Sequence, residues 1–237
     1  MVTELTLLIA TSASLGLIHT LLGPDHYLPF IMMSKAGEWT KGKTALVTIL
    51  CGLGHVGSSI LIGTVGIGLG ISIEKISFFE TFRGGIAAWL LAGFGIVYFI
   101  WGVRKIIRNI PHKHLHIHED GVVHTHEHVH KETHLHVHSD QKAKKITPWV
   151  LFVIFILGPC EPLIPLLMYP AAQSSWMGMG LVALVFCIIT LATMMAMVML
   201  TLYGFRFLPL QQMERYSHAV AGAAVFLCGF GMIFLGL

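Results

Sequence analysis

Charge is scarce in this chain. Asp, Glu, Lys and Arg make up only 11% of its 237 residues, while 55% are hydrophobic. An average soluble domain carries about 25% charged residues, so an ordinary water-soluble globule is excluded. Cysteine is also sparse. Cys51, Cys160, Cys187 and Cys228 all lie in apolar runs and never as C-x-x-C, which argues against a secreted-type disulfide framework. No basic segment precedes the first apolar stretch and no small-residue cleavage site follows it. Met1 to Phe30 is therefore expected to be a retained helix and not a removable signal. The net charge of +3 is a topology signal and no nucleic-acid footprint.

What the chain does have is long apolar runs. A bilayer core needs about 20 apolar residues per helix. Such runs fall at residues 5–34, 44–70, 82–103, 147–172, 176–205 and 216–237. The expected fold is therefore all-α and integral to a membrane, with six transmembrane helices. Cytoplasmic loops retain Lys and Arg. The first, third and fifth loops hold Lys35, Lys41, Lys43, Arg104, Lys105, Arg108, Lys113, Lys131, Lys142, Lys144, Lys145, Arg206 and Arg215, against Lys75 and Arg83 on the other side. This predicts a multi-pass protein of the cytoplasmic (inner) membrane, with both termini outside and the long loop in the cytoplasm.

The chain repeats itself. Leu22-Gly23-Pro24-Asp25-His26 returns as Leu157-Gly158-Pro159-Cys160-Glu161, and Gly93-Phe94-Gly95 returns as Gly229-Phe230-Gly231 at nearly the same offset, which also aligns Cys51 with Cys187. An odd number of spans per repeat predicts two inverted three-helix repeats, at 1–103 and 147–237, flanking a loop at 104–146. The Gly-Pro pairs predict that the first and fourth helices are broken, because Pro removes a backbone hydrogen bond that lipid cannot replace. Each break would offer free carbonyls to a cation, and free N–H groups to ionised Asp25 or Glu161.

Ionisable groups at membrane depth are expensive and call for a function. His19, Asp25, His26, His55 and Glu161 are in that position. His19 and His26 are two turns apart, and the break brings Asp25 near both. With His55 they make a nitrogen and oxygen set suited to nickel, cobalt or zinc. Cys160 and Glu161 occupy the matching places in the second repeat and are the next candidate ligands or gates. His218 lies near a helix end and reads as an interfacial polar residue. Met194, Met195, Met197 and Met199 read as adaptable core packing.

The loop is extreme in composition. His112, His114, His116 and His118 form one alternating run, His124, His126, His128 and His130 a second, and His134, His136 and His138 a third. Such a tract points to metal binding or buffering, and its alternation about Asp120-Gly121 could form a short strand pair.

His19-Thr20-Leu21-Leu22-Gly23-Pro24-Asp25-His26 resembles the first-helix H-x4-D-H signature of the nickel/cobalt transporter family in its broad sense, including its efflux branch and the urease-accessory-type membrane permeases. Here there is one extra residue between His19 and Asp25. Leu53-Gly54-His55 resembles the start of that family's second-helix signature. The resemblance implies a transporter and not an enzyme, with no permanent cofactor. Ni2+ or Co2+ would be the cargo, with Zn2+ a further candidate, and a divalent ion and the bilayer the partners. A cytoplasmic His tract fits efflux slightly better than uptake. Gly158-Pro159-Cys160 is also similar to membrane electron carriers of thiol redox and cytochrome c maturation, which makes a thiol-disulfide carrier using Cys160 the alternative, although Asp25 stands where such a carrier's first cysteine would be. An exporter of a small anion such as sulfite leaves the His tract without a role.

Overall fold

The computed structural model describes residues 2–108, 112–117, 123–128, 139–173, 175–204 and 216–236, with side chains described over 4–107, 146–173, 175–204 and 216–236. It is a helical bundle carrying one small β-ribbon. In chain order, α1 (Val2–Leu22) leads through a single 3-10 turn (Pro24–His26) into α2 (Leu28–Ala36), then α3 (Lys41–Gly68) and α4 (Ile73–Arg108). Strands β1 (His112–Ile117) and β2 (Val123–His128) follow, then α5 (Ser139–Leu157), α6 (Leu163–Ala172), α7 (Trp176–Gly204) and α8 (Ser217–Leu235). Both halves thus run as helix, break, short helix and two long helices.

Among the described residues, five helices are long and apolar enough to cross a membrane: α1, α3, α4, α7 and α8. The apolar part of α5 (Ile146–Leu157) and all of α6 (Leu163–Ala172) are each too short alone. Large apolar side chains stand exposed along the long helices, among them Leu7, Leu61, Phe82, Trp89, Leu184 and Leu227. In water such a surface would aggregate; in a bilayer it is the solvated face.

Sequence signals account for the helix ends. Thr40 caps α3, its side chain accepting from the Lys43 N–H, the usual service of a β-hydroxyl at this position. Pro24 and Pro29 sit within the first two positions of the 3-10 turn and of α2, where the missing N–H costs nothing. α4 starts well before residue 82, the expected start of the third span, because Glu80 and Arg83 are carried inside the helix. The helices also reach into the expected 104–146 loop, α4 ending at Arg108 and α5 starting at Ser139.

α1 packs on α7, α5 packs on α3, and α4 lies along α8 over much of its length. The α4–α8 seam is built from glycine. A Cβ on Gly95 would enter the Phe226 backbone, one on Gly102 the His218 and Ala219 backbone, one on Gly222 the Phe99 backbone, and one on Gly229 the Ala92 backbone. Small residues at such spacing let two helices approach to backbone contact, where dispersion and weak C–H hydrogen bonds replace the hydrophobic drive that lipid removes. Two buried clusters fill the interior. Phe30, Met33, Cys51, Leu151, Phe155, Met194 and Val225 belong to one, and Val56, Cys160, Leu163, Val182 and Phe186 to the other.

Leucine at Gly95 or Gly229 is expected to destabilise the solubilised protein by at least about 1–3 kcal/mol, the usual range for overpacking. Leucine at Gly93, which has nothing within 4 Å of the added Cβ, should have little effect. Thermal unfolding in detergent compares them.

Candidate metal site

The break after α1 turns the chain back on itself, and three histidines meet there. His19 lies in the last turn of α1, His26 ends the 3-10 turn, and His55 sits midway along α3. The Nε2 atoms of His26 and His55 are 3.3 Å apart. Ring centroids of His19 and His26 are separated by 4.6 Å, and those of His26 and His55 by 5.0 Å. One ligand nitrogen from each of the three lies within 4.8 Å of the others. At Zn–N bond lengths of about 2.0–2.1 Å, tetrahedral ligands stand roughly 3.3 Å apart. The His26–His55 pair already has that separation.

Asp25 orients the cluster. Its Oδ1 lies 3.2 Å from His26 Nδ1, and the same nitrogen is 3.2 Å from the Gly23 carbonyl. A proton held at Nδ1 by these acceptors leaves Nε2 as a lone pair facing His55, the carboxylate–histidine arrangement that tunes metal ligands. His26 is 2% exposed and His55 3%, so no water shell competes for their nitrogens. His19 Nε2 and His55 Nδ1 are buried with no hydrogen-bond partner. Phe186 stands beside His19 and Phe155 beside His55. A cavity of about 20 Å³ opens next to the cluster, lined by Asp25, His55, Leu91, Phe155, Gly158 and Met232. This is room for about one small particle.

Both breaks supply a glycine to this site. A Cβ on Gly23 would lie 2.6 Å from His26 Nδ1 and 2.8 Å from Asp25 Oδ1, and one on Gly158 would lie 2.9 Å from His55 Nδ1. Close approach, and not conformational freedom, demands glycine at these two positions.

Of the six expected ligands, the fold gathers His19, Asp25, His26 and His55. It does not bring Cys160 and Glu161 into the group. Cys160 is fully buried within the second apolar cluster, and its backbone N–H is bound to Ser59 Oγ at 3.2 Å and approaches Glu80 Oε2 at 3.4 Å. Glu161 is exposed and reaches Thr81 Oγ1 at 3.4 Å. The second break thus meets the histidines through the backbone of Gly158. All four cysteines are free thiols. Met194 is buried in the first core cluster. His218 heads α8, with Nδ1 2.9 Å from Tyr98 Oη and Nε2 3.2 Å from Lys105 Nζ.

Two charges escaped the sequence reading. Glu80 is fully buried and Arg83 6% exposed, and they form an ion pair of 2.7 Å. Arg83 therefore leaves the tally of loop charges. An acid and a base three residues apart in an otherwise apolar stretch was the available signal.

In the loop, β1 and β2 pair antiparallel with His112 opposite His128, His114 opposite His126, and His116 opposite His124. The expected strand pair is present in the backbone, while its Asp120-Gly121 turn lies outside the described residues. His118, His130, His134, His136 and His138 lie outside the described residues, as do Arg206 and Arg215.

Comparison with protein-family models, with curated proteins and with solved structures returns no match.

Replacing Asp25 by Asn, or Gly23 by Ala, should weaken Co2+ binding about 10–100-fold, the usual effect of losing an outer-shell partner. Thermal unfolding without metal should change little for Asp25→Asn. Isothermal titration of the solubilised protein measures the affinity.

Proposed function

We propose that the protein is a membrane transporter of a divalent transition metal ion, with nickel or cobalt the foremost cargo and zinc a further candidate. The observation that carries this reading is the convergence of His19, His26 and His55 at a helix break, with buried nitrogens within 4.8 Å of one another. Imidazole suits these borderline metals. Holding three histidines in a lipid-embedded core without a ligand would cost several kcal/mol of desolvation. Asp25 supplies orientation and one negative charge. Binding and release of the ion involve no chemical transformation, so the protein acts as a carrier and not an enzyme.

Six spans follow if the broken pair α5 and α6 crosses together. An inverted repeat is supported by the matching element order of the halves and by the exchange of partners, α1 on α7 and α5 on α3. Three spans per half set the repeats in opposite senses, and relative rocking of the halves would expose the site alternately to the two sides. With Arg83 removed from the loop charges, only Lys75 remains opposite the thirteen basic residues of the other side. This supports a cytoplasmic histidine loop and external termini. Cross-strand His positions on β1 and β2 suit a collector of metal on the cytoplasmic side, which favours efflux.

Proteoliposomes containing the purified chain should accumulate Ni2+ or Co2+, and Asp25→Asn should reduce the rate at limiting ion by about tenfold or more. Zn2+ and Cu+ run in parallel define selectivity. Deleting residues 112–138 should lower the rate at low metal and spare it at saturation. Normal transport by a folded His26→Ala protein would defeat the site assignment, and thiol-dependent reduction across the bilayer without metal movement would favour the electron-carrier alternative.

A further inference from the structure

The buried ion pair of α4 has no place in the metal site, yet it is the most heavily hydrogen-bonded side-chain group described. Arg83 Nη1 donates to Ser58 Oγ at 2.7 Å and to the Ile156 carbonyl at 3.0 Å. Its Nη2 donates to Ser59 Oγ and to Glu80 Oε2, each at 2.7 Å. Ser59 in turn donates to Glu80 Oε2 at 2.8 Å and accepts from the Cys160 N–H. Ser58 donates to the His55 carbonyl at 2.8 Å. The chain of contacts therefore runs from α4 through α3 to both sides of the second break, and back to the helical turn that carries His55.

Its backbone partners explain why it is there. Ile156, one residue before the end of α5, has a carbonyl that no following helical N–H reaches, and Cys160 has an N–H outside the ladder because Pro159 interrupts it. Neither group can turn to lipid for a partner. Arg83 meets the first, and Ser59 with Glu80 meets the second. Pro159 also lies against Gly84, where no Cβ could fit.

The first break is held differently. Its side-chain hydrogen bonds among the described residues are His26 Nδ1 to the Gly23 carbonyl, His26 to Asp25, His26 Nε2 to His55 Nε2, and a 3.3 Å bond from the Tyr27 hydroxyl to the Leu21 carbonyl. Three of these four involve an imidazole that would face the ion. The bonds that hold the second break involve no histidine side chain.

We infer that Glu80, Arg83, Ser58 and Ser59 are positioning residues that keep the second break fixed, so that the first break is the one that rearranges when an ion enters. The assignment of the moving break rests on the metal-site reading above; the clamp on the second break does not. Arg83 is suited to the task because its planar fork serves four acceptors at once, which a lysine ammonium cannot do. Glu80 Oε1 and Arg83 Nε remain unpartnered, and the arrangement stays together through charge and burial.

Cys160 is a reporter already in place. In a full-length chain whose Cys51, Cys187 and Cys228 are replaced by Ala, Cys160 should react slowly with a small membrane-permeant maleimide, at the same rate with or without Co2+. Arg83→Ala and the milder Ser59→Ala should each raise that rate at least about tenfold, the equivalent of one charge-assisted hydrogen bond, with Arg83→Lys intermediate. Hydrogen exchange on proteoliposomes of this chain should show Co2+ altering residues 20–28 and leaving 157–163 unchanged, while the clamp variants alter 157–163 and leave the α4–α8 seam protected. Unchanged Cys160 labelling in both Arg83→Ala and Ser59→Ala would overturn the clamp. Equal Co2+ responses at the two breaks would overturn the assignment of a fixed and a moving half. If Co2+ alters neither break while Arg83→Ala still exposes Cys160, the metal-site reading falls and the clamp stands.

Discussion

A backbone polar group that leaves a helix inside a bilayer has to be met by protein, because hydrocarbon offers no hydrogen bond. The chain breaks two helices, at Gly23-Pro24 and Gly158-Pro159, and so frees carbonyls and N–H groups where they are hardest to satisfy. Much of the polar chemistry inside the protein answers that requirement. His26 and Asp25 serve the first break. Arg83, Glu80 and Ser59 serve the second. The breaks are also what make a site possible, since a continuous helix could not place His19 and His26 beside the same partner on α3 and leave a small cavity next to them.

The two solutions differ in kind. At the first break the groups that satisfy the backbone are titratable and aimed at one another across a few ångströms, so they have other potential partners. At the second they are a permanently charged guanidinium, a carboxylate and two hydroxyls, Ser59 donating to Glu80 and Ser58 to the His55 carbonyl. Breaking such a buried pair from one side costs about 3–5 kcal/mol, a large share of the stability of a small domain. One break is adaptable and the other is expensive to disturb, although the repeat in sequence makes them look equivalent.

Sequence reading went furthest where physics is most restrictive. Histidine and aspartate in an apolar run are costly enough to be conspicuous, and His19, His26 and His55 do converge, with Asp25 against His26. The helix breaks were legible from Gly-Pro, and the β-ribbon from alternation about Asp120-Gly121. Cys160 and Glu161 show the limit. A repeat offset identifies which residues occupy equivalent places along the chain, and says nothing of which way their side chains turn. Here Cys160 packs in the apolar cluster with Val56, Leu163 and Phe186, and the Glu161 side chain reaches Thr81 on the exposed surface. Glu80 and Arg83 stayed hidden because the expected span opens at residue 82 and separates them, so Arg83 was counted as a charge at the edge of a loop without its partner.

The glycine seam between α4 and α8 bears on how this sequence can drift. Where a glycine faces a side chain, as Gly54 faces Ile156, added volume on one helix can be offset by removing a methyl from the other. Where it faces backbone, as Gly95 faces Phe226 and Gly229 faces Ala92, the neighbour has nothing to give up and no smaller residue exists. Substitution there has a single direction, towards a wider gap between the helices. The seam is therefore closed to compensation, and the two helices are bound to keep their glycines together while residues around them exchange freely.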